Sequence, residues 1–178
     1  MTRNFRQTLR GGARAVAALL IASAWACESA ALTTPDGALL SEDAEREIVT
    51  SPIDVQEATL RWLIDNEGIT TFDAYCVSTG WPDANNDPSP DLLNRFAGSV
   101  PPVVPLSSCT IGTSGDVYNP TGGPAQWFFL GDPVITGRTA EIQAGFHINA
   151  RGAEFFRCSL RLTGTGWRVM ECILTGAA

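Results

Sequence analysis

The chain has 178 residues, enough for one domain, and its 44% hydrophobic content is too high for an intrinsically disordered protein. All 12 basic residues are arginine, which excludes chemistry that needs a lysine amine. Four of these arginines precede the first acidic residue, Glu28, so the rest of the chain carries 8 basic and 19 acidic residues and a formal charge of −11. Such a charge repels phosphate groups, and we expect no nucleic-acid partner.

The first 26 residues have the three parts of a cleavable export signal. Four arginines among the first 14 residues form a positive start, and residues 15–26 form an uncharged, mostly apolar run. That run is well short of the ~20 residues needed to span a bilayer, and it ends on the cleavage pattern Ala24-Trp25-Ala26. An N-terminal core helix is the alternative, but the order of charge, apolar run and small residues favours export. We therefore predict that residues 1–26 are removed.

Cleavage there leaves Cys27 at the new N-terminus. The run Ala24-Trp25-Ala26-Cys27 resembles a bacterial lipobox, after which the cysteine is lipid-modified. The chain has five cysteines, and an odd number in an exported protein calls for one with a separate role. We predict that Cys27 is a lipid anchor that holds the protein at the membrane of the cell envelope. A periplasmic or secreted protein without the lipid is the alternative.

A single α+β domain is predicted for residues 41–178, after a flexible, polar tether at residues 27–40. Residues 55–67 have the apolar spacing of a helix, with Asp54 as its N-cap and Glu57 completing a capping box. Ser89-Pro90 predicts a second, short helix. Alternating residues separated by turns predict a final antiparallel meander with strands at 126–130, 138–149, 154–163 and 167–175. With extended segments at 71–77 and 103–109, the main helix should pack on an antiparallel sheet of five or six strands.

The last hairpin predicts how the other four cysteines pair. If Gly164-Thr165-Gly166 is a three-residue loop, Cys158 faces Cys172 across the two strands. A disulfide then joins this pair, and elimination leaves Cys76 with Cys109. A four-cysteine zinc site is the alternative, but the chain lacks a Cys-x-x-Cys pair and the predicted compartment is oxidising.

One face of the strand at 138–149 is polar. Its even-numbered positions are apolar, whereas the odd-numbered positions include Glu141, Gln143 and His147, the single histidine of the chain. A row of this kind can bind a small ligand or move protons, and these residues are the candidates for a catalytic role. A half-exposed antiparallel sheet has the same pattern, so both interpretations stay open.

Oxygen-bearing side chains in the loop before the second helix partly match a calcium loop. Asp83, Asn85, Asp87 and Asp91 occupy its first, third, fifth and ninth positions, but Pro88 stands where glycine is required. Asx turns and a helix cap explain the same residues. Since the chain also lacks the motifs of serine hydrolases, phosphate-binding loops and zinc proteases, we expect neither a metal nor a cofactor.

Three further sequence motifs are the basis of a resemblance to known proteins. They are Tyr75-Cys76, then Asp87-Pro88-Ser89-Pro90 followed by Leu92, Leu93 and Arg95, then Val104-Pro105-Leu106-Ser107-Ser108-Cys109. This pattern resembles uncharacterised bacterial exported proteins or lipoproteins that have no assigned activity. A helix followed by a meander that ends in Gly166-Trp167-Arg168-Val169 is similar to nuclear-transport-factor-like and cystatin-like α+β folds. The resemblance implies the fold but not one function, because that fold hosts isomerases, dehydratases and binding modules.

Together these features predict an exported, lipid-anchored and disulfide-bonded protein of the cell envelope. We expect its domain to bind a protein or small-molecule partner without catalysis, because no catalytic constellation is present. The alternative is a pocket protein or enzyme of nuclear-transport-factor-like type that uses His147 with Glu141 or Gln143. A cavity that reaches His147 would favour the alternative.

Overall fold

The computed structural model describes residues 51–149 and 152–178. The predicted export signal at 1–26, the lipid anchor at Cys27 and the tether at 27–40 lie outside these residues. The described part contains no helix that is long and apolar enough to cross a membrane.

Helix α1 (Pro52–Glu67) begins three residues before the predicted start. Its N-cap is Ser51, whose Oγ accepts a hydrogen bond of 3.3 Å from the backbone N–H of Ile53. The Asp54 carboxylate accepts one of 3.2 Å from the N–H of Ser51 and completes the capping box. The prediction of Asp54 as N-cap was wrong, because proline is favoured in the first helical turn and Pro52 therefore begins the helix, with Ser51 as its N-cap.

The other described elements are one short helix, nine strands and a 3-10 turn at Leu106–Ser108. Helix α2 (Pro90–Asn94) is capped by Ser89, as predicted. The strands are β1 (Ala74–Thr79), β2 (Val103–Pro105), β3 (Thr110–Ile111), β4 (Val117–Tyr118), β5 (Pro124–Leu130), β6 (Val134–Thr136), β7 (Thr139–Asn149), β8 (Gly152–Thr163) and β9 (Gly166–Ala177).

The nine strands form one mixed sheet with the main order β2-β1-β5-β7-β8-β9. Strands β5, β7, β8 and β9 make the predicted antiparallel meander. The expectation of a purely antiparallel sheet of five or six strands was wrong, because β1 runs parallel to both β2 and β5. The chain between β1 and β5 contains α2, β2 and the β3–β4 hairpin, and only a long crossover of this kind permits parallel pairing.

The β8–β9 hairpin brings the predicted cysteines together by an unpredicted route. Its turn leaves two residues between the paired strands instead of three, so Leu160 faces Val169 and not Met170. A bulge at Met170 then adds one residue to β9 and places Cys158 opposite Cys172. The predicted three-residue loop was therefore wrong, although the facing cysteines were predicted correctly.

The two faces of the sheet differ in what covers them. We call the face under α1 the helix face and the opposite one the outer face. The disulfide Cys158–Cys172 lies on the helix face, and Cys76–Cys109 lies on the outer face, so both predicted disulfides are confirmed. Two disulfides indicate an oxidising environment outside the cytoplasm.

The larger hydrophobic core lies between α1 and the helix face. Helix α1 packs across β5, β7 and β9. The core includes the fully buried side chains Val55, Leu60, Leu63, Tyr75, Val77, Phe128, Leu130 and Ala144. Buried Gln126 satisfies the end of the helix: its Nε2 donates to the carbonyl of Glu67 and its Oε1 accepts from the N–H of Ile69, both at 2.9 Å. The helix is thus held by apolar packing and by a buried amide.

Candidate functional site

The three polar residues predicted on β7 do not form one site. Glu141 and Gln143 are exposed on the outer face, and His147 is partly buried further along the strand. A strand rises about 3.4 Å per residue, so Glu141 and His147 are separated by roughly 20 Å. A shared role in proton transfer or ligand binding requires a shorter distance.

Depressions on the described surface include two whose linings bear on the candidate residues. One, of about 210 Å³, is lined by Asp132, Val134, Glu141, Ile142, Gln143 and Arg157. The other, of about 120 Å³, lies beside α1 and is lined by Arg61, Ile64, Asp65, Tyr75, Phe96, Ser99, Val100 and Pro101. Both are smaller than the ~300 Å³ of a typical ligand pocket, and neither includes His147.

His147 holds a loop against the outer face. Its Nε2–H donates a hydrogen bond of 2.8 Å to the carbonyl of Gly115, in the turn between β3 and β4. Its ring also meets that of Trp127 edge to face, with 5.7 Å between the centroids. Both contacts of the imidazole are therefore with other parts of the same domain, and the hydrogen bond joins β7 to the β3–β4 turn.

An aromatic cluster lies next to His147 on the outer face, and the sequence analysis did not predict it. Trp81, from the loop after β1, lies against Phe129 at 4.9 Å and stacks on Phe155 at 5.3 Å between ring centroids. Trp127 meets Phe129 edge to face at 5.7 Å, and its Nε1–H donates to Ser78 Oγ at 2.9 Å. The cluster forms a second, smaller packed layer on the side away from α1.

The sequence signal for this cluster is Gly145. It occupies an odd-numbered position of β7, among polar residues, and the Phe129 ring crosses the strand at that point. A Cβ at position 145 would lie 2.5 Å from Cζ of Phe129 and 2.2 Å from the carbonyl oxygen of Glu154. A glycine inside a strand often marks such a close approach.

Two of the candidate calcium residues, Asp87 and Asp91, have structural roles in the fold. The Asp87 Oδ1 accepts a hydrogen bond of 2.9 Å from the N–H of Ser107, which ties the loop to the 3-10 turn. Asp91 lies in the first turn of α2, where a carboxylate complements the helix dipole. Within residues 51–149 and 152–178, acidic, cysteine and histidine side chains form no group of three that could hold a metal ion.

An ion-pair network joins α1 to α2. Arg95 Nη1 lies 2.7 Å from Asp54 Oδ1 and 2.5 Å from Glu57 Oε2, and Arg61 binds Glu57 from the same helix at 2.8 Å. Burial raises the pKa of Glu57, but hydrogen bonds from Arg95 and Arg61 outweigh it and leave that pKa below its usual value. These contacts position the short helix and are partly exposed to water.

The last strand, β9, presents a free edge. It ends the sheet and pairs only with β8 among the described strands. Three large apolar side chains on it are exposed, Met170 by 60%, Ile173 by 56% and Leu174 by 51%. The opposite edge strand, β2, has only three residues; Pro102 directly precedes it and Pro105 is its last residue. Proline and short length protect an edge from pairing, so β9 is the more accessible edge of the sheet.

The backbone of β9 also points N–H and C=O groups away from β8, toward the outer edge of the sheet. The Cα atoms of Cys158 and Cys172 are only 4.0 Å apart, which marks a pair that exchanges no backbone hydrogen bonds. The N–H and C=O of Cys172 therefore point away from β8, toward the free edge. Leu162 donates its N–H to Arg138, away from β9, so its partner Trp167 has the same orientation as Cys172.

Comparison with known proteins gives no relative from which a function could be transferred: no protein-family model, no curated protein and no solved structure matches this chain.

Proposed function

We propose that this protein is an exported, lipid-anchored component of the cell envelope whose domain binds a partner protein without catalysing a reaction. The binding surface in this proposal is the outward edge of β9. The observation that supports this surface is that β9, a strand of 12 residues, has one edge without a partner among the described strands. Three of its apolar side chains are exposed: Met170, Ile173 and Leu174. An exposed strand edge offers backbone hydrogen bonds to an added strand, and its side chains give the contact specificity.

Two features of β9 favour a limited interaction over unlimited aggregation. Bulges interrupt its pairing with β8 near Met170 and near Thr175. Two charged residues, Arg168 and Glu171, interrupt the apolar residues of β9. Both devices are typical of natural sheet edges that avoid indiscriminate pairing, so a partner must match this edge in shape and charge.

The alternative function, a pocket that uses His147 with Glu141 or Gln143, has no described contact in its favour. His147 donates to the Gly115 carbonyl and lies outside both depressions. We therefore keep a single proposal.

Site-specific photo-crosslinking in the native host tests the binding surface. A photoreactive side chain at Met170 or Ile173 should give discrete adducts, whereas one at Val134, equally exposed but on β6, should not. The substitution Leu174→Lys should weaken the β9 adducts because it places a charge on the apolar edge. Equal crosslinking at all positions, or none at β9, would contradict the proposal.

The lipid anchor is tested by cell fractionation. The variant Cys27→Ala should move the protein from the membrane fraction to the soluble envelope fraction, while its disulfides still form. Unchanged membrane association of the variant would disprove the anchor at Cys27.

A further inference from the structure

We infer that β9 pairs antiparallel with β9 of a second copy of this chain, so that Arg168 of each copy faces Glu171 of the other. This inference rests on the proposed function of the β9 edge and names its partner.

The first argument is an uncompensated charge. Arg168 lies directly opposite Arg161 on β8, and both side chains point to the outer face. Like charges at directly opposed positions destabilise a sheet. The salt bridges of the described residues all lie between Arg61 or Arg95 and the acids of α1, so neither Arg161 nor Arg168 has one. An acidic group placed beside Arg168 would offset this repulsion.

The chain carries that acidic group in the neighbouring row. One row across the outer face runs Thr139, Arg161, Arg168, and the row below it runs Glu141, Ser159, Glu171. Both rows end at the free edge, one with a positive and the other with a negative side chain. A two-fold axis between Val169 and Met170 brings the positive row of each copy against the negative row of the other. The outer face is therefore complementary to itself in charge.

The directions of the backbone hydrogen-bonding groups of β9 are compatible with this pairing of the two copies. With Arg168 facing Glu171 of the second copy, Trp167 faces Cys172 of the second copy. The backbone groups of both point to the free edge, as the 4.0 Å Cα separation at Cys172 and the hydrogen bond of Leu162 establish. The pair can thus exchange hydrogen bonds, and symmetry forms it twice.

An exposed apolar side chain lies at the centre of this pairing. Met170, 60% exposed in the single copy, lies at the bulge next to the two-fold axis. Methionine is flexible and fills irregular contacts, which suits a bulged position. Because the opposite edge strand, β2, is short, follows Pro102 and ends in Pro105, the assembly closes as a dimer.

Charge reversal with mixing is the test, measured by native mass spectrometry and sedimentation on oxidised protein purified from the native envelope in detergent. Arg168→Glu alone and Glu171→Arg alone each turn two attractions into two repulsions and should raise the dimer dissociation constant by roughly tenfold or more. A mixture of the two single variants restores both attractions and should yield mixed dimers. The double variant should dimerise like the wild type.

The matched control is Arg157→Glu, which makes the same charge change on the same face but one strand further from the edge. It should leave dimerisation unchanged, and peptide mapping should find both disulfides in every variant. A monomeric wild type, or single variants that dimerise normally, would overturn the inference. If β9 still crosslinks to another protein in that case, the proposed binding function stands and only self-pairing fails; if it does not, both fail.

Discussion

The two faces of the sheet are covered in different ways. On the helix face, one amphipathic helix covers the antiparallel strands, and the disulfide Cys158–Cys172 lies within a continuous core. On the outer face, Trp81 and the β3–β4 hairpin cover the part from the Cys76–Cys109 bridge across β5 to Phe155 on β8. The rest of that face, toward β9, carries charged rows. A long helix therefore covers one face of the sheet, whereas a loop tryptophan and a short hairpin cover part of the other face.

The proposed binding surface lies on the side of the sheet that is less covered. In the covered part of the outer face, His147 contacts the β3–β4 turn, while the open part ends at the outward edge of β9. We expect the partner to bind at the β9 edge, which these loops do not cover. The comparison of the two faces can be tested by weakening each of them in turn.

Removing the disulfides should have the largest effect. The Cys76–Cys109 bridge joins residues 33 apart in sequence and Cys158–Cys172 joins residues 14 apart. Loop entropy then assigns them about 4 and about 3 kcal/mol of stability. Double cysteine-to-alanine variants, measured by urea unfolding, should rank in that order. The reverse order would show that the outer face depends less on its bridge than the helix face does.

Gly145→Ala should damage the outer face alone. The added methyl meets the Phe129 ring and the carbonyl of Glu154, and over-packing of this kind costs about 1–3 kcal/mol. The near-ultraviolet circular dichroism of the aromatic cluster should change with it. Gly164→Ala is the control, since no atom lies within 4 Å of its new Cβ. An unchanged stability of the Gly145 variant would show that the cluster is loosely packed.

His147→Ala should have a smaller effect. The substitution removes the hydrogen bond to Gly115 and the edge contact with Trp127, and should lower the unfolding free energy by about 1 kcal/mol. Amide exchange should accelerate in the β3–β4 turn, while crosslinking from β9 stays the same. Loss of the β9 adducts in this variant would give His147 a role in binding that its contacts do not indicate.

The ion pairs beside α1 should give the smallest effect, and one that depends on pH. The pKa of Glu57 is lowered in the fold, so its contribution is present at neutral pH and is lost as the pH falls below about 4.5. The wild type should exceed Glu57→Gln by less than about 1 kcal/mol in unfolding free energy at pH 7, because the pair is partly exposed. This difference should narrow as the pH falls below about 4.5. Glu141→Gln, exposed and without a salt bridge among the described residues, should follow the wild-type curve. A gap that grows in acid would contradict the lowered pKa.

The sequence by itself determined the features that depend on neighbours in the chain. The apolar repeat after Ser51 specifies α1, and the alternating strands after residue 124 specify the meander. Both disulfides followed from the facing cysteines of the last hairpin and from elimination, although the bulge at Met170, a local departure from regular pairing, was not visible in the alternation.

Only the tertiary structure decided which distant segments meet. The parallel pairing of β1 with β5 joins strands separated by about 45 residues, and no local pattern encodes such a partner. The same pairing brings the loop with Trp81 over Phe129 and Phe155, and the β3–β4 turn onto His147. Side-chain parity placed His147 on the face opposite α1, but its contacts with Gly115 and Trp127 depend on long-range packing, which no local pattern encodes.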